Sequence, residues 1–159
     1  MDSSDPPPIL AGKYYAAPSA FAPESLLREA RRQKGLAAIP VPEVCVLDPD
    51  GDIVRRLETD GRARAHGGWA CYHTELYVAE LELAGAGGAA FAQPVGFVGR
   101  AVGAPFAVLV AEQLFASGCR LLISMSSAGR IAPVRTPPYF VLSERAVRDE
   151  GTSYHYLPP

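Results

Sequence analysis

Apolar positions along the chain fall into two patterns, one with helical spacing and one continuous or alternating, and these predict most of its elements. Phe106, Leu109, Val110, Leu114 and Phe115 recur three and four positions apart and form one helical stripe. Gly103 and Ala104 precede Pro105, whose fixed φ suits a first helical turn, and Gly118 follows, so the pattern predicts a helix over 105–117. Pro23 and Glu24 open another segment that closes on Arg31, Arg32, Lys34 and Gly35, the polarity that a helix dipole favours. A short helix is predicted there, with Arg28, Arg31 and Arg32 on a solvated face.

Glu43-Val44-Cys45-Val46-Leu47 is a continuous, β-branched apolar run between Pro42 and Asp48-Pro49-Asp50-Gly51-Asp52. It predicts a buried strand ending in a tight acidic loop, with a short helix opening over 53–57. A second buried strand is predicted over 119–125. It runs into Ser126-Ser127-Ala128-Gly129, small residues whose backbone allows a ligand to approach closely. Residues 70–83 alternate and are rich in Tyr, Thr and Val, and Pro94 to Val98 follows a Gly-rich stretch at 84–90. Two antiparallel strands joined by a turn are predicted, with a further strand over 139–143 after Thr136-Pro137-Pro138. Strand, helix and strand joined by short turns make a βαβ unit. The fold class expected is therefore α/β, with a mixed sheet covered on both faces.

A length of 159 residues suits one domain, and 48% hydrophobic with 20% charged residues suits a folded core. Pro6, Pro7, Pro8, Pro18 and Pro23 disfavour regular structure, so 1–41 is expected to be an arm with a short helix and 42–159 the domain. A net charge of −2 gives no electrostatic footprint for nucleic acid or an anionic membrane, and neither is expected as a partner. No signal-peptide pattern or membrane-length apolar run occurs, so a cytoplasmic location is expected. Cys45, Cys71 and Cys119 are odd in number and lack a CxxC pair, which predicts buried, reduced thiols and no zinc. The acidic loop has its Gly and Glu at the wrong offsets for an EF-hand, so no metal is expected.

Arg100-Ala101-Val102-Gly103-Ala104-Pro105, the helix after it, and Leu122-Ile123-Ser124-Met125-Ser126-Ser127-Ala128-Gly129-Arg130-Ile131-Ala132-Pro133 resemble the core of the nucleoside phosphorylase and nucleosidase superfamily. The stretch from Ala146 to Pro158, with Arg148-Asp149-Glu150-Gly151-Thr152-Ser153-Tyr154-His155-Tyr156, is similar to one frequent in its uridine and purine phosphorylases. Val46-Leu47-Asp48-Pro49-Asp50 stands where the family often has Val-Pro-Gly-Asp-Pro-Asp-Arg, and His73-Thr74-Glu75 where it often has His-Arg-Glu. The resemblance covers 42–159 and corresponds to roughly the first half of a family member. It implies a three-layer α/β/α core with a mixed sheet whose C-terminal part is absent. It also implies phosphorolysis of the N-glycosidic bond in a purine or pyrimidine nucleoside, giving free base and pentose 1-phosphate. The partners implied are the nucleoside, and either further copies of this chain or a completing chain. No cofactor is implied beyond inorganic phosphate as co-substrate.

Such cleavage passes through an oxocarbenium-like sugar, so a site must hold the ribose, bring an anion to it and receive the departing base. By resemblance, Gly103, Ser126, Ser127 and Arg100 are candidates for phosphate and ribose, and His73, Arg148 and His155 for the substrate's edge. No residue is assigned as the catalytic acid or base. Arginines are expected by resemblance at three positions occupied here by Gly51, Thr74 and Ser124. A charge-assisted contact is worth about 1.5–3 kcal/mol, so phosphate binding needs a replacement such as Arg100 or Arg130. Without one, the Ser126-Ser127-Ala128-Gly129 turn, similar to the Ser-Ala-Gly turn of the nucleosidases, points to hydrolysis instead. A third reading is a catalytically inactive or partner-dependent truncated binding module, since the resemblance places the base pocket in the other half.

Other residues have plainer explanations. Trp69, Tyr72 and Tyr77 suit a half-buried strand surface, and His66 and His73 suit structural hydrogen bonding. Adjacent Asp149 and Glu150 face opposite ways on an extended chain and cannot flank one bond. Ser126 and Ser127 lack a recognisable His-Asp pair and read as hydrogen-bond donors rather than nucleophiles.

Overall fold

The computed structural model describes residues 8, 10–84, 88, 90–132 and 135–158. In chain order the elements are α1 (Pro23–Lys34), β1 (Val44–Asp48), α2 (Asp52–Thr59), β2 (Ala63–Ala65), β3 (Tyr77–Ala84), β4 (Ala90–Gly99), α3 (Ala104–Ala116) and β5 (Leu121–Ser124), with a 3-10 turn at Ser153–His155. The five strands form a mixed sheet in the order β2-β3-β4-β1-β5. β1 lies parallel to both β4 and β5, whereas β3 pairs antiparallel with β2 and β4. Asp48 is opposite Gly99 and Leu47 opposite Ser124, so the three parallel strands end at one edge.

Period-two alternation in β1 feeds two cores. Cys45 and Leu47 join Val98, Val110 and Leu114 beneath α3, while Val46 joins Val54, Leu57, Val95 and Phe97 beneath α2. Helices therefore cover opposite faces of the sheet, as α/β patterning requires. Val98, Val110 and Leu114 are fully buried, each contributing about 1.5–3 kcal/mol of hydrophobic stabilisation. α1 buries Leu27 and Ala30 with Ala70 and ends at Gly35, whose φ of 64° suits a left-handed cap. The Leu36 amide then donates back to the Arg31 carbonyl at 3.0 Å.

Several sequence expectations change in extent. The strand expected over 70–83 begins only at Tyr77. Upstream, Lys34 Nζ donates to the carbonyls of Ala70 and Cys71 at 3.1 and 2.6 Å, so a side chain takes acceptors that a sheet ladder would use. The strand expected over 119–125 is cut to Leu121–Ser124, although the Met125 amide still donates to Leu47 O. Residues 139–143 form no strand: Phe140, Val141 and Leu142 are exposed, and among the described residues no strand pairs with them. Within α3, Phe115 is 51% exposed while Gln113 is buried and donates Nε2 to Leu109 O, so the buried stripe runs through Val110, Gln113 and Leu114. β2 was not expected because Ala-Arg-Ala carries no apolar run. The expected turn at 84–90 lies largely outside the described residues.

The chain divides into two compact units, Ala20–Ser127, which holds the sheet and all three α-helices, and the segments that end at Ser19 and begin at Ala128. In the second unit Tyr15 OH donates to Tyr154 O at 3.0 Å, and Lys13 Nζ donates to His155 Nδ1 at 2.8 Å. Among the described residues no helix is long and apolar enough to cross a membrane.

Candidate functional site at the carboxyl edge of the parallel strands

The crevice outside the carboxyl ends of parallel strands is where open α/β sheets place their ligands. Here that edge is organised by the buried Asp48. Its two carboxylate oxygens accept the amides of Gly51 and Val54, each at 3.0 Å, and its carbonyl accepts the Arg100 amide at 2.8 Å. One residue thus satisfies a first-turn amide of α2 and closes the acidic loop with its side chain, and with its carbonyl ties the end of β1 to the end of β4. Gly51 holds φ at 76°, a left-handed conformation that a side chain would strain.

Against this edge lies a cavity of about 300 Å³, lined by Gly51 and α2, by His73 to Glu75 and Tyr77, and by Arg100 and Phe106 beyond β4. The His73 ring sits edge-on to Phe106 with centroids 6.4 Å apart, and it meets Tyr72 at the same distance. Trp69 Nε1 donates to Thr74 Oγ1 at 3.0 Å, which fixes that hydroxyl. Tyr77 OH donates to Glu75 Oε2 at 2.6 Å. That bond, then burial and then Glu58, push the phenol well above its usual range, so Tyr77 stays a neutral donor. Tyr77 therefore belongs to the cavity as well as to a strand. Glu58 went unrecognised in the sequence because only the turn of α2 aligns it with Gly51 and Val54.

The loop after β5 reaches the same edge. Asp50 Oδ2 accepts the Ser127 amide at 2.7 Å and the Ser126 hydroxyl at 3.4 Å. These bonds, the Ser127 amide foremost, hold the Asp50 carboxyl below its ordinary value. Gly103 is the N-cap of α3 with φ 88°, and its carbonyl accepts the Ala107 amide. Of the residues singled out from sequence, His73 and Arg100 line the cavity, and Ser126, Ser127 and Gly103 lie in the loops after β5 and β4.

Arg148 and His155 belong to the second unit. Arg148 gives Nε to Ser153 Oγ and its two terminal nitrogens to Pro158 O and Leu157 O, and it lies 4.3 Å over the Tyr154 ring. Each of its three guanidinium nitrogens serves the local loop. The Ser153 side chain foremost, then the Ser153 and Thr152 amides that Glu150 accepts, hold its carboxyl below the ordinary value. His66 bonds to Pro40 O and accepts the Gly68 amide, a structural role.

All three cysteines are free and buried. Burial foremost, then the neighbouring Cys119, pushes the Cys45 thiol up to about 12. Among the described residues no group of three His, Cys, Asp or Glu comes together to hold a metal ion. No family model, curated protein or solved structure matches this chain.

Proposed function

We propose that the protein is nucleoside phosphorylase-like, with a three-layer core of that type, and takes part in cleaving the N-glycosidic bond of a purine or pyrimidine nucleoside with phosphate. One observation carries the reading. Gly51 of the acidic loop after β1, the His73-Thr74-Glu75 segment and Arg100, parts spread over about a third of the chain, line a single cavity at the carboxyl edge of the parallel strands. The Ser126-Ser127 turn is tied to that edge through Asp50. These belong to three of the four segments in which the family resemblance resides, the fourth, Ala146 to Pro158, lying in the second unit. The cavity offers two arginines, hydroxyls, a neutral phenol, carboxylates and an imidazole beside an aromatic ring, groups suited to an anion, a sugar diol and a flat base edge.

Inorganic phosphate is the only co-substrate this reading needs, and the buried thiols suit a reducing cytoplasm. Hydrolysis is the second reading, supported by Gly51, Thr74 and Ser124 at the three positions where the resemblance expects phosphate arginines. Chromatography of purine and pyrimidine nucleosides incubated with the purified chain, with and without phosphate, separates the two. Base release only with phosphate supports phosphorolysis, and equal release without it supports hydrolysis. Absence of release under both conditions refutes catalysis by this chain alone.

A further inference from the structure

Two arginines line the cavity, and they differ in how they are held. Arg55 is engaged by Asp52 one turn earlier on α2. Arg100 has no hydrogen-bond or ion-pair partner for its guanidinium among the described residues, although Glu58 and Glu75 line the same cavity. Both of those carboxylates act on the Tyr77 hydroxyl instead, Glu75 by the 2.6 Å bond and Glu58 beside it. A guanidinium left unpaired with acids nearby is kept available for another acceptor.

The backbone shows what that placement requires. Arg100 has φ of 63°, and among the described residues no other non-glycine residue has a positive φ. Left-handed backbone is disfavoured for a residue with a Cβ and persists where its surroundings impose it. Here the Asp48 carbonyl holds the Arg100 amide, and the Arg100 side chain lies over Gly51. A Cβ at Gly51 would stand 3.0 Å from Arg100 Cγ and 3.3 Å from its Nε. Gly51 is thus glycine on two counts, its own left-handed φ and the side chain resting on it.

We propose that Arg100, laid across Gly51, is the residue that receives the phosphate anion at this cavity, doing from the loop after β4 what an arginine in the acidic loop would otherwise do. This deepens the phosphorolysis reading and rests on it for the choice of anion. The two residues form a unit: an arginine side chain at 51 would collide with Arg100, and Arg100 needs a bare backbone beneath it. The planar guanidinium can grip two phosphate oxygens at once, and the Thr74 hydroxyl belongs to a residue lining the same cavity.

The test is titration of the full chain with inorganic phosphate by isothermal calorimetry, alongside base-release assays. Arg100→Met is expected to weaken phosphate binding by about tenfold or more. Arg100→Lys, which keeps charge but loses the fork, should fall between the two, and Gly51→Ala should weaken binding without removing any charge. Arg56→Met removes one charge from an ion pair outside the cavity and should bind as the unchanged protein does. Arg100→Gly relieves the backbone and should melt no lower than the unchanged protein while losing phosphate. A lower melting temperature would make Arg100 a structural residue and overturn the proposal. So would unchanged binding in Arg100→Met, or no phosphate binding by the unchanged protein. Phosphate bound through Arg100 with no base released would refute the phosphorolysis reading alone. Phosphate-dependent release that survives Arg100→Met would refute the Arg100 assignment alone.

Discussion

Cys45 and Asp48 lie three residues apart on β1, and each shows how burial decides what a reactive group does. The Cys45 thiol is fully buried and its pKa is pushed from 9.0 to about 12, so almost none is thiolate at neutral pH. Iodoacetamide at pH 8 should leave Cys45 unmodified in the folded protein and label it once urea unfolds the chain, as peptide mass spectrometry will show. Labelling at equal rates in both states would contradict the burial. The raised pKa also has a sign for stability: the contribution is full below pH 9 and is lost as pH rises towards 12, because only the unfolded thiol ionises readily in that interval. Asp48 is buried as well, but two backbone amides donate to its side-chain oxygens. Asp48→Ala strands both donors and should cost about 2–4 kcal/mol in urea unfolding. Because those amides set the acidic loop, the same variant should also weaken the phosphate binding proposed for the cavity.

At the scale of elements, Asp50 joins two loops that are far apart in sequence. Its bond to the Ser127 amide is the link between the loop after β1 and the turn after β5. The Asp50 carboxyl is held below its ordinary value, so its contribution is present above that ordinary value and is lost as pH falls through the lower folded one. The protection of the Ser127 amide, its exchange measured relative to the intrinsic rate at each pH, should therefore fall in Asp50→Ala at pH 7, and in the unchanged protein once acid protonates the Asp50 carboxyl. An unaffected Ser127 amide would rule the link out. Elements such as α1, β1 and α3 were legible because each carries its own signal, a periodic stripe or β-branched run with Pro and Gly at its ends. β2 and the late start of β3 were not, because they depend on distant partners. Arg64 pairs across to Val78, and Lys34 removes the carbonyls of Ala70 and Cys71 from any ladder. The site follows the same rule. Its segments were readable one by one, but the stacking of Arg100 on Gly51 exists only when the ends of β1 and β4 are brought side by side.

For the whole molecule, the unequal distribution of regular structure makes a prediction about where the chain opens. Every strand and all three α-helices lie within Ala20–Ser127, and beyond Ala128 the described residues hold only the short 3-10 turn at Ser153–His155. Proteases need several residues of extended, accessible backbone, which a ladder or helix withholds and an irregular exposed segment supplies. Arg130 and Arg135 are exposed and lie in such a segment, whereas Arg55 and Arg56 are equally exposed but sit inside α2. Sequence exposure to trypsin is thus the same in both places and backbone order differs. Brief trypsin treatment should cut first after Arg130 and Arg135, and the fragment carrying residues 20–127 should outlast every product cut within α1, α2 or α3. Mass spectrometry of a time course gives the order directly. Early cleavage at Arg55 or Arg56 would mean that the α2 face of the sheet opens as easily as the segment after β5. The cavity, whose wall includes α2, would then lack the rigid support that a binding site demands.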